Sequence, residues 1–209
     1  MSTQRLYDQW SETYDAVENK TRDLEKTACE TILGDLKFSS VIELGSGTGK
    51  NTMWLAERAA EVLSVDFSEE MQAVARSKVS KSNVKFLIAD VRRPWVFGNC
   101  EPDLVTSSLI LEHVEDLGFV FEQARSALVT GGHFYICELH PFKQYAGSKA
   151  RFETDDGTQV TECFQHHVTD YTHAAIENGF AVDLIDEWFD DDDRTVVPRL
   201  ISFVFSIIA

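Results

Sequence analysis

Basic residues are scarce in this chain. Its 19 Lys and Arg stand against 35 Asp and Glu, a formal net charge of −16 at neutral pH. A surface that acidic repels phosphate backbones, which argues against a DNA or RNA substrate, and it disfavours anionic membranes for the same reason. Its commonest consequence is solubility, and it can also concentrate cationic small molecules. Long apolar runs are missing: nothing reaches the roughly 18 residues of a membrane span. Residues 1–15 are polar and aromatic, without the apolar centre of a secretory signal. The 4 cysteines, at 29, 100, 137 and 163, make no C-x-x-C pair. A zinc or disulfide framework is therefore not expected, no metal site is expected, and a reduced cytoplasmic setting is. With 44% apolar and 26% charged residues the composition is that of an ordinary globular protein. At 209 residues one domain is expected, able to bury roughly 70% of the surface its unfolded chain exposes.

What is present is concentrated in Val41-Ile42-Glu43-Leu44-Gly45-Ser46-Gly47-Thr48-Gly49, with Asp66 closing the next apolar run. A β-branched run that enters a glycine turn and then a helix is a ligand-binding device. Glycines remove Cβ atoms where a ligand presses on the backbone, and free amides at the helix start favour electron-rich groups. An acidic residue about 20 positions later, at the tip of the neighbouring strand, is where such a fold holds a ribose diol. The ligand class follows from required residues that are missing. A dinucleotide fingerprint, G-x-G-x-x-G counted from Gly45, needs glycine where Lys50 stands. A Walker loop ending at Gly49-Lys50 needs glycine in place of Leu44 and Ser or Thr in place of Asn51. Both phosphate readings fail, and Glu43 would repel a pyrophosphate. A nucleoside-containing ligand without one fits.

Further segments follow in order. These are Val65-Asp66-Phe67-Ser68-Glu69-Glu70-Met71, Ala89-Asp90-Val91, Asp103-Leu104-Val105-Thr106-Ser107-Ser108-Leu109, Leu111-Glu112-His113-Val114 and Leu128-Val129-Thr130-Gly131-Gly132-His133-Phe134. Together with the glycine turn, over roughly residues 38–140, they resemble class I S-adenosylmethionine-dependent methyltransferases. The nearest resemblance is to the type-11 small-molecule group that includes quinone-pathway and biotin-pathway enzymes. The resemblance implies an α/β, Rossmann-like seven-stranded sheet, mostly parallel with an antiparallel last strand and helices on both faces. It implies S-adenosyl-L-methionine as cofactor and a small-molecule O, N or C nucleophile as acceptor, with the protein a monomer or homodimer. Gly45, Gly47 and Gly49 would give close backbone approach, with Glu43 at the head of the turn. Asp66 would hold the ribose, Phe67 would flank the adenine, and Asp90 would receive its amino group beside Val91. Ser108 and Leu109 would face the methionine end, and Tyr14, in a Tyr-Asp pair with Asp15, would lie near the cofactor. The alternatives are an NAD(P)-dependent oxidoreductase, opposed by Lys50, and a cofactor-binding pseudoenzyme with a regulatory or partner-binding role.

Apolar runs of strand length alternate with helical patterns, which predicts βαβ units. Strands are expected at 40–44, 61–65, 84–89, 104–108, 133–139, 180–189 and 200–208. Helices are expected at 50–58, at 68–79 with Ser68 as cap, at 117–128, and at 168–178 before a stop at Gly179. Residues 1–35 read as a two-helix lid, 36–139 as the cofactor-binding core, 140–165 as a substrate-side insertion, and 166–209 as the rest of the sheet. Within the insertion a hairpin turns at Asp156-Gly157, and Lys149 and Arg151 could clamp a carboxylate.

Transfer of a methyl group asks the protein to align a nucleophile, exclude water and, for some acceptors, remove a proton. His113, after strand four, and His140, after strand five and stiffened by Pro141, are the catalytic candidates; Tyr145, His166 and His167 are further possibilities. Tyr7, Trp10 and Tyr14 are spaced as one face of a helix, suited either to packing or to closing over a cationic sulfur. The run from Asp190 to Asp193 reads as a solvated turn or as an attractor for an amine or metal.

Overall fold

The computed structural model describes residues 3–11, 13–98, 100–147, 151–154, 157–160 and 163–208, with 151–154 and 157–160 described by their backbone alone. Two helices come first, α1 (Thr3–Trp10) and α2 (Lys20–Gly34). Then β1 (Ser40–Leu44), α3 (Lys50–Ala56), β2 (Glu61–Asp66), α4 (Glu69–Lys78), β3 (Val84–Ile88) and β4 (Leu104–Ser108) alternate. The chain continues through α5 (Leu117–Ala127), β5 (His133–Leu139), α6 (Pro141–Tyr145), β6 (Arg151–Thr154) and β7 (Gly157–Val160). It closes with α7 (Val168–Glu177), β8 (Phe180–Trp188) and β9 (Leu200–Ile207).

Seven strands make one sheet in the order β3-β2-β1-β4-β5-β9-β8. The five strands from β3 to β5 pair in parallel, and β9 runs antiparallel between β5 and β8. The expected sheet is thus present, antiparallel strand included. Alternation along each strand divides the core between its two faces. Ile42, Leu44, Phe134 and Ile136 pack with Phe121, Tyr171 and Phe203, whereas Val41, Tyr135 and Cys137 pack with Cys29, Leu33 and Leu55. Burying each large side chain of this kind contributes about 1.5–3 kcal/mol. Asn19, Ser68 and Asp116 cap α2, α4 and α5 by accepting backbone N–H groups, each cap worth about 1 kcal/mol. Gly179, at φ +78°, takes the chain out of α7 into β8.

Chain order reverses between β1 and β4, so the loops after these neighbours part and leave a crevice at their carboxyl ends. Two details depart from the sequence reading. A short helix, α6, follows β5, with Pro141 in its first turn. Tyr14 lies beyond the end of α1, so the aromatic trio is not one helix face. Because β8 runs parallel to β5, the acidic run does emerge at the carboxyl edge, but its own turn uses it. Asp190 forks onto Arg199 at 2.5 and 2.6 Å, and Asp193 accepts from Thr195. The expected hairpin is present as the β6–β7 pair. Its turn residues Asp155 and Asp156, and Lys149, lie outside the described residues, as does the side chain of Arg151. Among the described residues no helix is long and apolar enough to cross a membrane.

Candidate active site

The turn after β1 forms one wall of a cleft of about 230 Å³ at the crevice. Gly45, Gly47 and Gly49 have φ of +65°, +52° and +80°, a region in which other residues are strained. At Gly45 there is also no room, since a Cβ would sit 2.2 Å from Ile110 Cγ2. Asp66 folds back over this turn. Its Oδ2 accepts from the Gly47 amide at 2.7 Å and its Oδ1 from the Ser68 amide at 2.8 Å. Burial raises its carboxyl to about 6 in spite of these bonds, and each oxygen retains acceptor capacity toward the cleft. Glu43, also buried, accepts from Thr52 Oγ1 at 2.5 Å, and burial raises it to about 8. The wall also holds Ser46 Oγ and Thr106 Oγ1, both buried without a hydrogen-bond partner.

The N-terminal segment straps across the opening. Gln4 donates to the Phe67 carbonyl at 2.7 Å, Ser68 Oγ donates to Asp8 at 2.6 Å, and Asp15 accepts from Thr48 at 2.8 Å and Lys78 at 2.7 Å. Trp10 and Tyr14 meet edge to face with centroids 4.6 Å apart. Arg22 lies 4.1 Å from the Tyr14 ring centroid, and its guanidinium donates to the carbonyls of Tyr14 and Val17. Its Nε is buried at the cleft without a partner. Lys50 and Asn51 are drawn to the buried Glu25 of α2, at 2.7 and 2.9 Å.

Opposite the glycine turn the chain leaves β4 through Leu109, a non-glycine residue at φ +57°. That conformation costs roughly 1–2 kcal/mol. It is held by the Leu109 amide donating to the Cys137 carbonyl, and by Glu138 Oε1 accepting the amides of Ile110 and Leu111 at 3.0 and 2.9 Å. The exit continues as a single turn of 3₁₀ helix, Leu111–His113. His113 reaches the cleft, and its Nε2 lies 2.9 Å from the Tyr7 hydroxyl. Burial pushes that phenol well above its ordinary range.

The structure brings Tyr14, Glu43, Gly45, Gly47, Asp66, Phe67, Asp90, Val91, Ser108, Leu109 and His113 to this one cleft. Gly49 is set back as the N-cap of α3, where a Cβ would press within 3.0 Å of Ala75. Asp90 is forked by Arg92 at 2.8 Å through both Nε and Nη2. Burial pushes its carboxyl up, but these bonds outweigh it and the net shift is downward. His140, expected to face the pocket, does not line it. Its Nδ1 accepts from the Phe142 amide as the cap of α6, and its Nε2 donates to Glu187, 3.1 Å away. Burial then lowers its basicity although Glu187 opposes this. Pro141 fixes the exit as anticipated but aims the imidazole at its own helix. His166 Nε2 donates to the carbonyls of Val114 and Leu111, His167 is the N-cap residue of α7, and Tyr145 bonds His167 at 2.6 Å. The sequence reading passed over Arg22, Glu25 and Asp8. Each acts on a residue 8 to 60 positions away, and nothing local marks a lid residue's distant partner.

Residues 42–136 match the family model described as a methyltransferase domain. Among curated proteins, the malonyl-[acyl-carrier protein] O-methyltransferase of Nitrosospira multiformis is 26% identical over 187 residues, 78% of this chain and 60% of that protein. Phosphoethanolamine N-methyltransferase 3 of Arabidopsis thaliana is 35% identical over 105 residues, 48% of this chain and 21% of that protein. The chain therefore spans less than two thirds of the curated relatives it matches. A solved DhpI-SAM-HEP complex superposes with a TM-score of 0.75 at 25% identity, over 96% of this chain and 94% of that one. Over residues 42–136 the chain thus matches a methyltransferase domain, and its fold is that of an S-adenosylmethionine-dependent methyltransferase complex.

Proposed function

We propose that this protein transfers a methyl group from S-adenosylmethionine to a small-molecule nucleophile. The observation that carries the reading is the buried Asp66 carboxylate, locked over a turn of left-handed glycines at the reversal of the sheet. The groups present fit that cofactor. Asp66, Asp90, Ser46 and Thr106 offer acceptors for ribose hydroxyls and an adenine amino group. Glu43 suits an ammonium, and the unpartnered Arg22 Nε suits a carboxylate. Phosphate has no comparable cradle here, because buried carboxylates line the wall. Phe67 and Val91 offer apolar faces for the base, and the Tyr7 and Tyr14 rings favour a cation.

When bound, the cofactor supplies a methyl group already activated on a cationic sulfur. The residues of this chain hold and align the reactants, and the strap of residues 3–22 keeps water out. His113, on the Tyr7 hydroxyl, is placed to take a proton from an acceptor that must lose one. Residues 1–35 then act as lid, 36–139 as cofactor core, 140–165 as substrate cover and 166–209 as sheet completion within one domain. The two curated relatives are named for an oxygen and a nitrogen acceptor, which leaves the methylated atom open. The free cysteines support a reducing, cytoplasmic setting.

Calorimetric titration with S-adenosylhomocysteine and with NAD tests the cofactor, and release of labelled methyl to a metabolite panel tests catalysis. Binding of the thioether alone, with turnover, is expected. Binding of NAD alone would replace the reading with an oxidoreductase, and thioether binding without any turnover would leave a pseudoenzyme.

A further inference from the structure

The exit from β4 touches the glycine turn, and the side chain that holds the exit in place lies outside the cleft. Ile110 rests against the α-carbon of Gly45, where a Cβ would fall 2.2 Å from its Cγ2. Gly45, Leu109, Ile110 and His113 all line the cleft. The conformation of the exit therefore shapes the cofactor wall as well as placing the imidazole.

That exit is held from β5. The β4–β5 ladder ends at Ser108 and Cys137, and β5 runs on through Glu138 and Leu139 with β9 as its partner. Successive amides of the departing chain still need acceptors. Leu109, at φ +57°, donates to the Cys137 carbonyl at 2.9 Å. Ile110 and Leu111 both donate to Glu138 Oε1, at 3.0 and 2.9 Å. Consecutive N–H groups that converge after a left-handed residue form a concavity for an acceptor atom. Glu138 fills it from within the protein. Glu138 is 2% exposed and Leu111 is fully buried, so water is poorly placed to replace the carboxylate. An apolar residue at this position would pack well but leave both donors unmatched. The surroundings do not favour a charge. Burial, with Glu112 and Glu25 adding to it, pushes the carboxyl up to about 8 against the pull of the two amides. What the position requires is an acceptor oxygen at this reach.

We propose that Glu138 is a positioning residue for the cofactor: by clamping the Ile110 and Leu111 amides it holds Ile110 against the glycine turn, and so sets affinity for the S-adenosyl ligand. The proposal rests on the methyltransferase reading above and extends it to a side chain outside the cleft.

The test is calorimetric titration of the full chain with S-adenosylhomocysteine, beginning with the wild type. Failure of the wild type to bind would strike the methyltransferase reading, and is seen before any variant is made. Variants at 138 then separate reach from charge. Glu138→Gln keeps an oxygen at the same reach without a charge, and should bind within about threefold of wild type. Glu138→Asp keeps the charge but withdraws it by one methylene, and Glu138→Ala removes the acceptor. Each of these should bind at least about tenfold more weakly than wild type. Amide hydrogen exchange at Ile110 and Leu111 should be at least about tenfold faster in the Asp and Ala variants than in the Gln variant, with Thr106 in β4 unchanged. Phe205→Leu, in the buried part of β9, is the control for a merely loosened fold. It should lower the melting temperature and leave binding within about twofold of wild type. Asp and Ala variants that bind like wild type would overturn the proposal. So would a Gln variant as weak as the Asp variant, or a control as weak as Glu138→Ala. If Glu138→Ala does not fold, the comparison of Gln with Asp decides alone.

Discussion

At the glycine-turn end of the cleft, the groups facing a ligand are backbone, the Ser46 hydroxyl and the carboxylates of Glu43 and Asp66, all drawn from residues 43–68. At the other end they are side chains from four separated segments: Tyr7 from α1, Tyr14 beyond it, Arg22 from α2 and His113 from the turn after β4. The first end is fixed by conformations that only glycine adopts easily. The second is fixed by contacts that reach as far as 106 positions, from Tyr7 to His113. An end made of backbone suits a ligand shared by many proteins, because a side-chain change alters it little. An end made of side chains on movable covers can change its acceptor without disturbing the sheet.

The largest effect that would break this contrast lies at the backbone end. Asp66→Ala removes acceptors for two ribose hydroxyls, at roughly 1.5–3 kcal/mol each. Calorimetry should show S-adenosylhomocysteine binding weakened by at least about a hundredfold. Retained affinity would mean that the ribose is held elsewhere. Next is Gly45→Ala, which adds a clash with Ile110 to left-handed strain. A cost of about 2–4 kcal/mol is expected, a fall in melting temperature of roughly 5–10 °C. Gly47→Ala, with open space around its Cβ, should lose only about 2–4 °C. Similar losses for the two would show that Ile110 yields.

The pH dependence sharpens the comparison. The carboxyl of Asp66 titrates at about 6 in the folded protein, against an ordinary value of 3.8. Protonation therefore favours the unliganded fold, and this contribution is lost as pH rises from about 4 through 6. Ribose hydroxyls need the ionised form, so ligand binding has the opposite sign. Affinity for S-adenosylhomocysteine should fall roughly tenfold between pH 7 and pH 5, read by titration at intervals across that range. A flat profile would mean that Asp66 is already ionised at pH 5. The smallest effect belongs to the side-chain end. Tyr7→Phe removes one neutral hydrogen bond to His113, worth about 0.5–1.5 kcal/mol. Turnover should fall about threefold to tenfold with cofactor affinity unchanged, and a parallel loss of affinity would make Tyr7 part of the cofactor wall instead.

The chain by itself determined the parallel sheet, the glycine turn and the acid that closes it. Those features rest on period-2 apolar patterning, on left-handed positions that favour glycine, and on a cap such as Ser68 with its acceptor three residues from its donor. All act between neighbours, so the order of residues displays them. Only the tertiary structure decided which imidazole serves the cleft. His113 and His140 both follow strands at the carboxyl edge. His140 is taken by its own helix and by Glu187, 47 positions away, whereas His113 meets Tyr7 from a strap 106 positions earlier. It decided likewise that Glu112, unlike Glu138, would keep an oxygen without a donor. Whether a buried polar group is satisfied depends on everything packed around it, and that is set only when distant segments meet.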